Sequence, residues 1–267
     1  MSDLKIGIIG CGNMGSAILR GLLAKNIASA GSIAVNDKDT GKAESVAMSS
    51  GCRHAELSAL VKNVDYLIIA VKPQNSEILL KKLSGLITGQ TIISVMAGVK
   101  ISTVTDLLGK EVPVARAMPN MAAVIGESMT CVSFNDLADE KEEVKKIFSS
   151  IGRVVEVEEA LMDAVTAVSG SGPAYLFYLA DVMISAGEKA GLDPDVAKEL
   201  VTQTLFGASS LLKNNMDISA GEHIRAVASK GGTTEAALSI FEDNELKGII
   251  KAAINRAKQR SEELSGG

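Results

Sequence analysis

Short apolar runs recur along the first half of the chain at residues 5–9, 32–36, 65–71 and 91–95, separated by stretches long enough for crossover helices. That rhythm predicts a parallel sheet with α/β architecture. Further β-type segments at 112–115, 129–134 and 153–157 bracket a charged stretch, 137–148, where Glu142 and Lys146 stand four apart, as on a solvated helix face. Beyond about residue 158 the β-branched runs give way to Ala, Leu, Lys and Glu at helical spacing, so the rest reads as all-helical. Its punctuation is legible: Pro173 follows a Ser-Gly cluster as a first-turn residue, Gly191 ends that helix, and Asp193 with Pro194 caps and opens the next. We expect two domains, residues 1–160 and 161–267, and a Ser-Gly-Gly terminus that frays.

Charge excludes one class of partner. With 32 acidic against 27 basic residues and a net charge of −5, the chain offers no basic stripe for phosphate backbones. The longest apolar stretch, 164–180, contains Ser169, Gly170, Ser171, Gly172 and Pro173, and fits a buried helix start better than a membrane span. The first apolar run is broken by glycines at once, so no signal peptide is expected and a cytoplasmic location is. Cys11, Cys52 and Cys131 have no paired spacing and suit neither a disulfide framework nor a zinc site. Only two histidines occur, His54 and His223, and no triad or metal cluster can be assembled from them.

The first chemical motif is Gly10-Cys11-Gly12-Asn13-Met14-Gly15, set between a strand and a helix. Three glycines at this spacing suit a pyrophosphate: Gly10 permits the tight turn, Gly12 the close approach, and Gly15 the packing of helix on strand. This is a Rossmann-type signature. The second strand ends in Asn36-Asp37-Lys38, about 20 residues on. Asp37 would accept from the ribose 2′-hydroxyl of NAD, whereas Lys38 would meet the 2′-phosphate of NADP, and the residues leave both open. Ala70, Val71, Lys72 and Pro73 follow the next strand at the edge where such sheets bind ligands. Met118, Pro119 and Asn120 follow a later strand and are expected to line the nicotinamide pocket; Arg116 just before them reads equally as a surface loop residue.

Two helix starts in the second half look suited to an anion. Residues 168–175 place small residues ahead of a helix, leaving N–H groups accessible. Ser229, Lys230, Gly231, Gly232, Thr233 and Thr234 precede a helical stretch at 236–241, and their glycines and hydroxyls form a neutral cradle for one carboxylate. With no usable histidine, hydride addition to an already charged imine is chemistry the chain can support by positioning alone.

In sequence, these segments resemble the pyrroline-5-carboxylate reductase family. I-G-C-G-N-M-G near the N-terminus, A-V-K-P-Q ending at Gln74, R-A-M-P-N ending at Asn120, S-G-S-G-P-A-Y ending at Tyr175 and G-G-T-T-E-A-A-L ending at Leu238 follow the family order at family-like intervals. The resemblance implies an N-terminal Rossmann-type dinucleotide-binding domain and a C-terminal all-helical dimerisation domain. It implies NADP(H), with NAD(H) as the alternative, a homodimer assembled further into a decamer, and an active site shared between subunits. By resemblance Ser229, Gly231, Gly232, Thr233 and Thr234 hold the substrate carboxylate, and Thr234 hydrogen-bonds the ring nitrogen. The chain departs from the family pattern at Leu57, Met121-Ala122 and Lys230. A β-hydroxyacid dehydrogenase, the nearest rival, would need a lysine where this chain has Leu176.

Overall fold

The computed structural model describes residues 3–266. Strands β1 (Ile6–Ile9), β2 (Ile33–Asn36), β3 (Arg53–His54), β4 (Tyr66–Ile69), β5 (Thr91–Ser94), β6 (Val114–Met118), β7 (Ser128–Phe134) and β8 (Gly152–Glu156) form one sheet in the order β3-β2-β1-β4-β5-β6-β7-β8. Helices α1 (Asn13–Ala24), α2 (Thr40–Ser50), α3 (Leu57–Lys62), α4 (Ser76–Ser84), α5 (Ile101–Leu108) and α6 (Lys141–Ser149) connect the strands.

The runs are continuously apolar because both faces of the sheet are covered. Side chains alternate along each strand. Ile6 and Ile8 of β1, Ile68 of β4 and Ile93 of β5 join one core with Ile18 and Leu22 of α1, Ala43 of α2 and Phe148 of α6. Ile9, Leu67, Ile69 and Ile92 join the other, with Leu60 of α3, Leu80 of α4 and Val104 of α5. Each fully buried aliphatic side chain stabilises the fold by about 1.5–3 kcal/mol.

Strands β1 to β6 pair in parallel, as the rhythm of the first half predicts. The expectation fails at β7, which runs antiparallel to β6. Residues 119–127, folded around a 3-10 turn at Met121–Ile125, are too few for a crossover, so the chain must turn straight back. A longer connection through α6 restores parallel pairing between β7 and β8. Strand β3, only two residues long, is too short for any periodicity to announce. On α6, Glu142 is paired with Lys145 at 2.9 Å, and Lys145 also reaches Glu156 at 2.8 Å.

Beyond β8 come α7 (Met162–Val165), a π-helical turn at Thr166–Gly170, and helices α8 (Gly172–Lys189), α9 (Pro194–Asn214), α10 (Ala220–Val227), α11 (Thr233–Asp243) and α12 (Leu246–Leu264). One compact unit runs to Ser171 and takes in the chain again from Ala257; the other is 172–256. The cap predicted for α9 is present, and α10 has one that was not predicted. Pro194 opens α9 behind Asp193, whose carboxylate accepts the Asp195 N–H, and Ser219 with Glu222 forms a capping box on α10.

The second unit has almost no interior. Ala197 and Val201 are its buried apolar side chains, while Phe177, Tyr178 and Phe206 are 62%, 73% and 65% exposed. Among the described residues no helix is long and apolar enough to cross a membrane. Of the Ser-Gly-Gly terminus, Ser265 donates to the Ser261 carbonyl at 2.8 Å. Gly267, the last residue of that expected tail, lies outside the described residues.

Candidate active site

The glycine loop between β1 and α1 stands where the sheet order reverses, with β2 on one side of β1 and β4 on the other. Ligands of open α/β sheets bind at such a switch point. The three glycines serve three different needs. Gly10 has φ +105°, and a Cβ there would lie 2.4 Å from the Ala70 carbonyl oxygen. A Cβ on Gly15 would come within 1.9 Å of the Gly10 carbonyl oxygen, so α1 can cross β1 this closely only without one. A Cβ on Gly12 would meet nothing within 4 Å. No protein atom needs that space.

Gly12 is also the N-cap of α1 and supplies no side-chain cap. The first-turn N–H groups therefore face the opening without an intrahelical acceptor, and the helix dipole adds partial positive charge. A backbone open at Gly12 and an uncapped helix start are what a pyrophosphate requires, so the residues present fit a dinucleotide.

A cavity of about 620 Å³ opens over this loop. Gly12, Asn13 and Met14 line one side, and Pro119 and Asn120 another. Ala70 and Val71 pack directly under Gly10, while Lys72 is exposed beyond them ahead of the 3-10 turn Pro73–Asn75. Arg20, Met121 and Val124 also line the cavity and were not expected there, and Gly170 brings in the 168–175 segment. Arg20 is seven residues along α1 from Asn13, two turns on the same face, a spacing that could have identified it.

Asn120 ties this wall together. Its side chain accepts the Ala122 N–H at 3.2 Å, capping the 3-10 turn, and donates to the Ser169 carbonyl and hydroxyl at 3.3 Å each. Ser169 belongs to the π-helical turn, a feature common at functional sites. Gly170 in the same turn leaves room for Met118, whose Cε would lie 2.5 Å from a Cβ there. Two motifs separated by about fifty residues thus form one surface.

The Asp37 carboxylate accepts the Cys11 N–H at 2.7 Å and the Asp39 N–H at 3.0 Å, while Lys38 is exposed. Burial, and then the Asp37 charge, push the Cys11 thiol up to about 11. All three cysteines are free and buried.

Arg116 is not a surface loop residue. Strand β6 continues to Met118, and the guanidinium, 5% exposed, lies 3.2 Å from Glu159 and 3.8 Å from Asp163. The same Glu159 oxygen accepts the Ile101 N–H at the start of α5, and Asp163 accepts from Ser261 at 2.6 Å. Arg116 is a buried structural cation three residues before Pro119 of the cavity wall, and its partners come from segments the spacing could not connect.

In the second unit, Gly231 has φ +73°, and Gly232 is the N-cap of α11, which begins at Thr233, three residues earlier than expected. The Gly232 N–H donates to the Ser229 carbonyl at 3.0 Å, curling residues 229–234 into a turn. Glu235, to which the spacing assigns no role, accepts the Gly231 N–H at 2.6 Å. It is the third residue of α11, where capping glutamates recur. Lys230 is exposed. Neither histidine lines the cavity, and among the described residues no group of three His, Cys, Asp or Glu is placed to hold a metal.

The family model for pyrroline-5-carboxylate reductase dimerisation matches residues 159–264, and one described as "NADP oxidoreductase coenzyme F420-dependent" matches 5–98. Pyrroline-5-carboxylate reductases of Staphylococcus aureus (strain COL) and of Staphylococcus epidermidis are each 33% identical to the chain over 98% of both lengths. Among solved structures, a pyrroline-5-carboxylate reductase from Coxiella burnetii superposes with TM-score 0.91 at 29% identity over 99% of each chain. Pyrroline carboxylate reductase from Plasmodium falciparum, with NADP bound, gives 0.88 at 28% identity over 99% of each. The Streptococcus pyogenes reductase gives 0.88 at 32%, covering 98% of this chain and 99% of that one.

Proposed function

The chain belongs to the pyrroline-5-carboxylate reductase family, and from that premise we propose that it reduces 1-pyrroline-5-carboxylate to L-proline, the last step of proline biosynthesis. The observation that carries the reading is the empty space over Gly12 at an uncapped helix start on the sheet's switch point. The family's cofactor is NADP(H). When bound, the reduced nicotinamide supplies the hydride.

Gly10, Gly12, Asn13, Met14 and Gly15 would hold the pyrophosphate, with Asn36, Asp37 and Lys38 at the adenosine ribose and Ala70, Val71, Lys72 and Pro73 flanking it. Met118, Pro119 and Asn120 would shape the nicotinamide end. Residues 1–160 serve as the dinucleotide domain and 161–267 as the dimerisation and substrate domain.

Ser229, Thr233 and Thr234 bind the substrate carboxylate through their hydroxyls and the Thr233 and Thr234 N–H groups at the start of α11, and Gly231 and Gly232, whose N–H groups are taken by Glu235 and the Ser229 carbonyl, give the turn its shape. The Thr234 hydroxyl hydrogen-bonds the ring nitrogen. Hydride adds to the imine carbon, the C=N π pair moves to nitrogen, and the protonated imine becomes the secondary amine. No protein group need change protonation state in that step, which suits a site without histidine.

The bare second unit and its match to a dimerisation model support a homo-oligomer. We extend this to a decamer built from five such dimers, in the cytoplasm, on the family likeness. The direct test is loss of reduced-nicotinamide absorbance with pyrroline-5-carboxylate as substrate. Rapid loss is expected; none with either NADPH or NADH overturns the assignment.

A further inference from the structure

The end of β2 carries opposite charges side by side, and the fold treats them differently. Asp37 is pinned: one carboxylate oxygen accepts the Cys11 N–H within the glycine loop, and the other accepts the Asp39 N–H. The strand end beneath it is also anchored, since the Asn36 carbonyl accepts the Gly10 N–H at 2.8 Å and its amide donates to the Ala55 carbonyl at 2.9 Å. Asp39 is committed as well, capping α2 by accepting the Lys42 N–H. Lys38 and Lys42 are exposed.

A carboxylate offers about four lone-pair sites. With two taken, Asp37 keeps an acceptor on each oxygen and cannot swing aside without breaking a charge-assisted bond. In this fold the position faces the adenosine ribose, where an acid accepts a 2′-hydroxyl and repels a 2′-phosphate. An exposed lysine, solvated and screened, offsets little of that repulsion.

We propose that Asp37 is the dinucleotide-selectivity residue of this chain and turns its preference from NADPH towards NADH, an inference that rests on the dinucleotide reading of the glycine loop. The full-length protein, without imine, is titrated with NADH and with NADPH by nicotinamide fluorescence, and with AMP and adenosine 2′,5′-bisphosphate as competitors. NADH and AMP are expected to bind about tenfold or more tightly than their 2′-phosphorylated counterparts. Asp37→Ser should shift that ratio towards the phosphorylated ligands by about tenfold or more.

Asp37→Asn keeps the size and one acceptor, and carries the test if the serine variant unfolds. Tighter binding of NADPH by the native chain overturns the proposal, as does a ratio unmoved in folded Asp37 variants. Binding of neither dinucleotide overturns the glycine-loop reading and this proposal with it. NADH selectivity without turnover of any imine leaves this proposal standing and overturns only the substrate assignment.

Discussion

Replacing Gly12 by alanine should separate ligand binding from folding, which neither neighbouring glycine can do. Gly12 sits at φ −73°, ψ −171°, an extended conformation any residue adopts, and a Cβ there meets no atom within 4 Å. No overlap arises in the folded protein, and the roughly 0.4–1 kcal/mol gained by restricting the unfolded chain is offset by the poorer fit of alanine as the α1 N-cap, so stability should stay within about 1 kcal/mol of the native chain. The same methyl stands over the N-terminus of α1, where an anion must reach the backbone N–H groups. Losing one charged hydrogen bond there costs about 1.5–3 kcal/mol, a rise in dinucleotide Kd of roughly 10- to 100-fold.

Gly15→Ala is the converse control. Its Cβ would be 1.9 Å from the backbone oxygen of Gly10, an overlap no rotamer relieves, so β1 and α1 must separate. Overpacking of that kind costs about 3 kcal/mol and lowers Tm by roughly 6 °C or more in a unit of this size. Fluorescence titration and thermal unfolding on both variants provide the measurement. Gly12→Ala unfolding early, or binding dinucleotide as the native chain does, would refute the reasoning.

Thr234→Ala should lower imine reduction by about a hundredfold while dinucleotide affinity stays within about twofold, and unchanged turnover would remove the role given to that hydroxyl. Arg116→Met should cost about 3 kcal/mol in urea unfolding, since it leaves the Glu159 and Asp163 carboxylates facing each other around a buried, neutral side chain. A loss below about 1 kcal/mol would mean that neither carboxylate depends on the guanidinium. Phe206→Glu, at a site 65% exposed on α9, should shift sedimentation towards monomer, because a charge cannot enter an apolar interface unpaired. The Cys11 thiol, raised from 9.0 to about 11 by burial first and the Asp37 charge second, holds its proton more tightly when folded than unfolded. Its contribution is therefore full below about pH 9 and lost as pH rises through about 11, so Cys11→Ala should flatten the alkaline fall in stability over that window.

Much of this was legible beforehand because it is local. Strand and helix identities come from apolar periodicity, the caps at Asp193 and Pro194 from residue chemistry, and the backbone demands met by Gly10 and Gly15 from spacing alone. What the sequence could not supply depends on which groups meet across long separations. Strand β7 reverses because of the space its connection must cross. Arg116 is buried because Glu159 and Asp163 fold over it, with Ser261 behind them. Asn120 reaches Ser169 only once a π-helical turn brings it near. Asp37 and Lys38 are adjacent in the chain and equivalent on paper, and only the position of the Cys11 N–H makes one a fixed acceptor and leaves the other in water. Periodicity reports which face a residue takes, but hydrogen-bond partners and burial of charge are properties of the packed chain, where a few tenths of an ångström decide them.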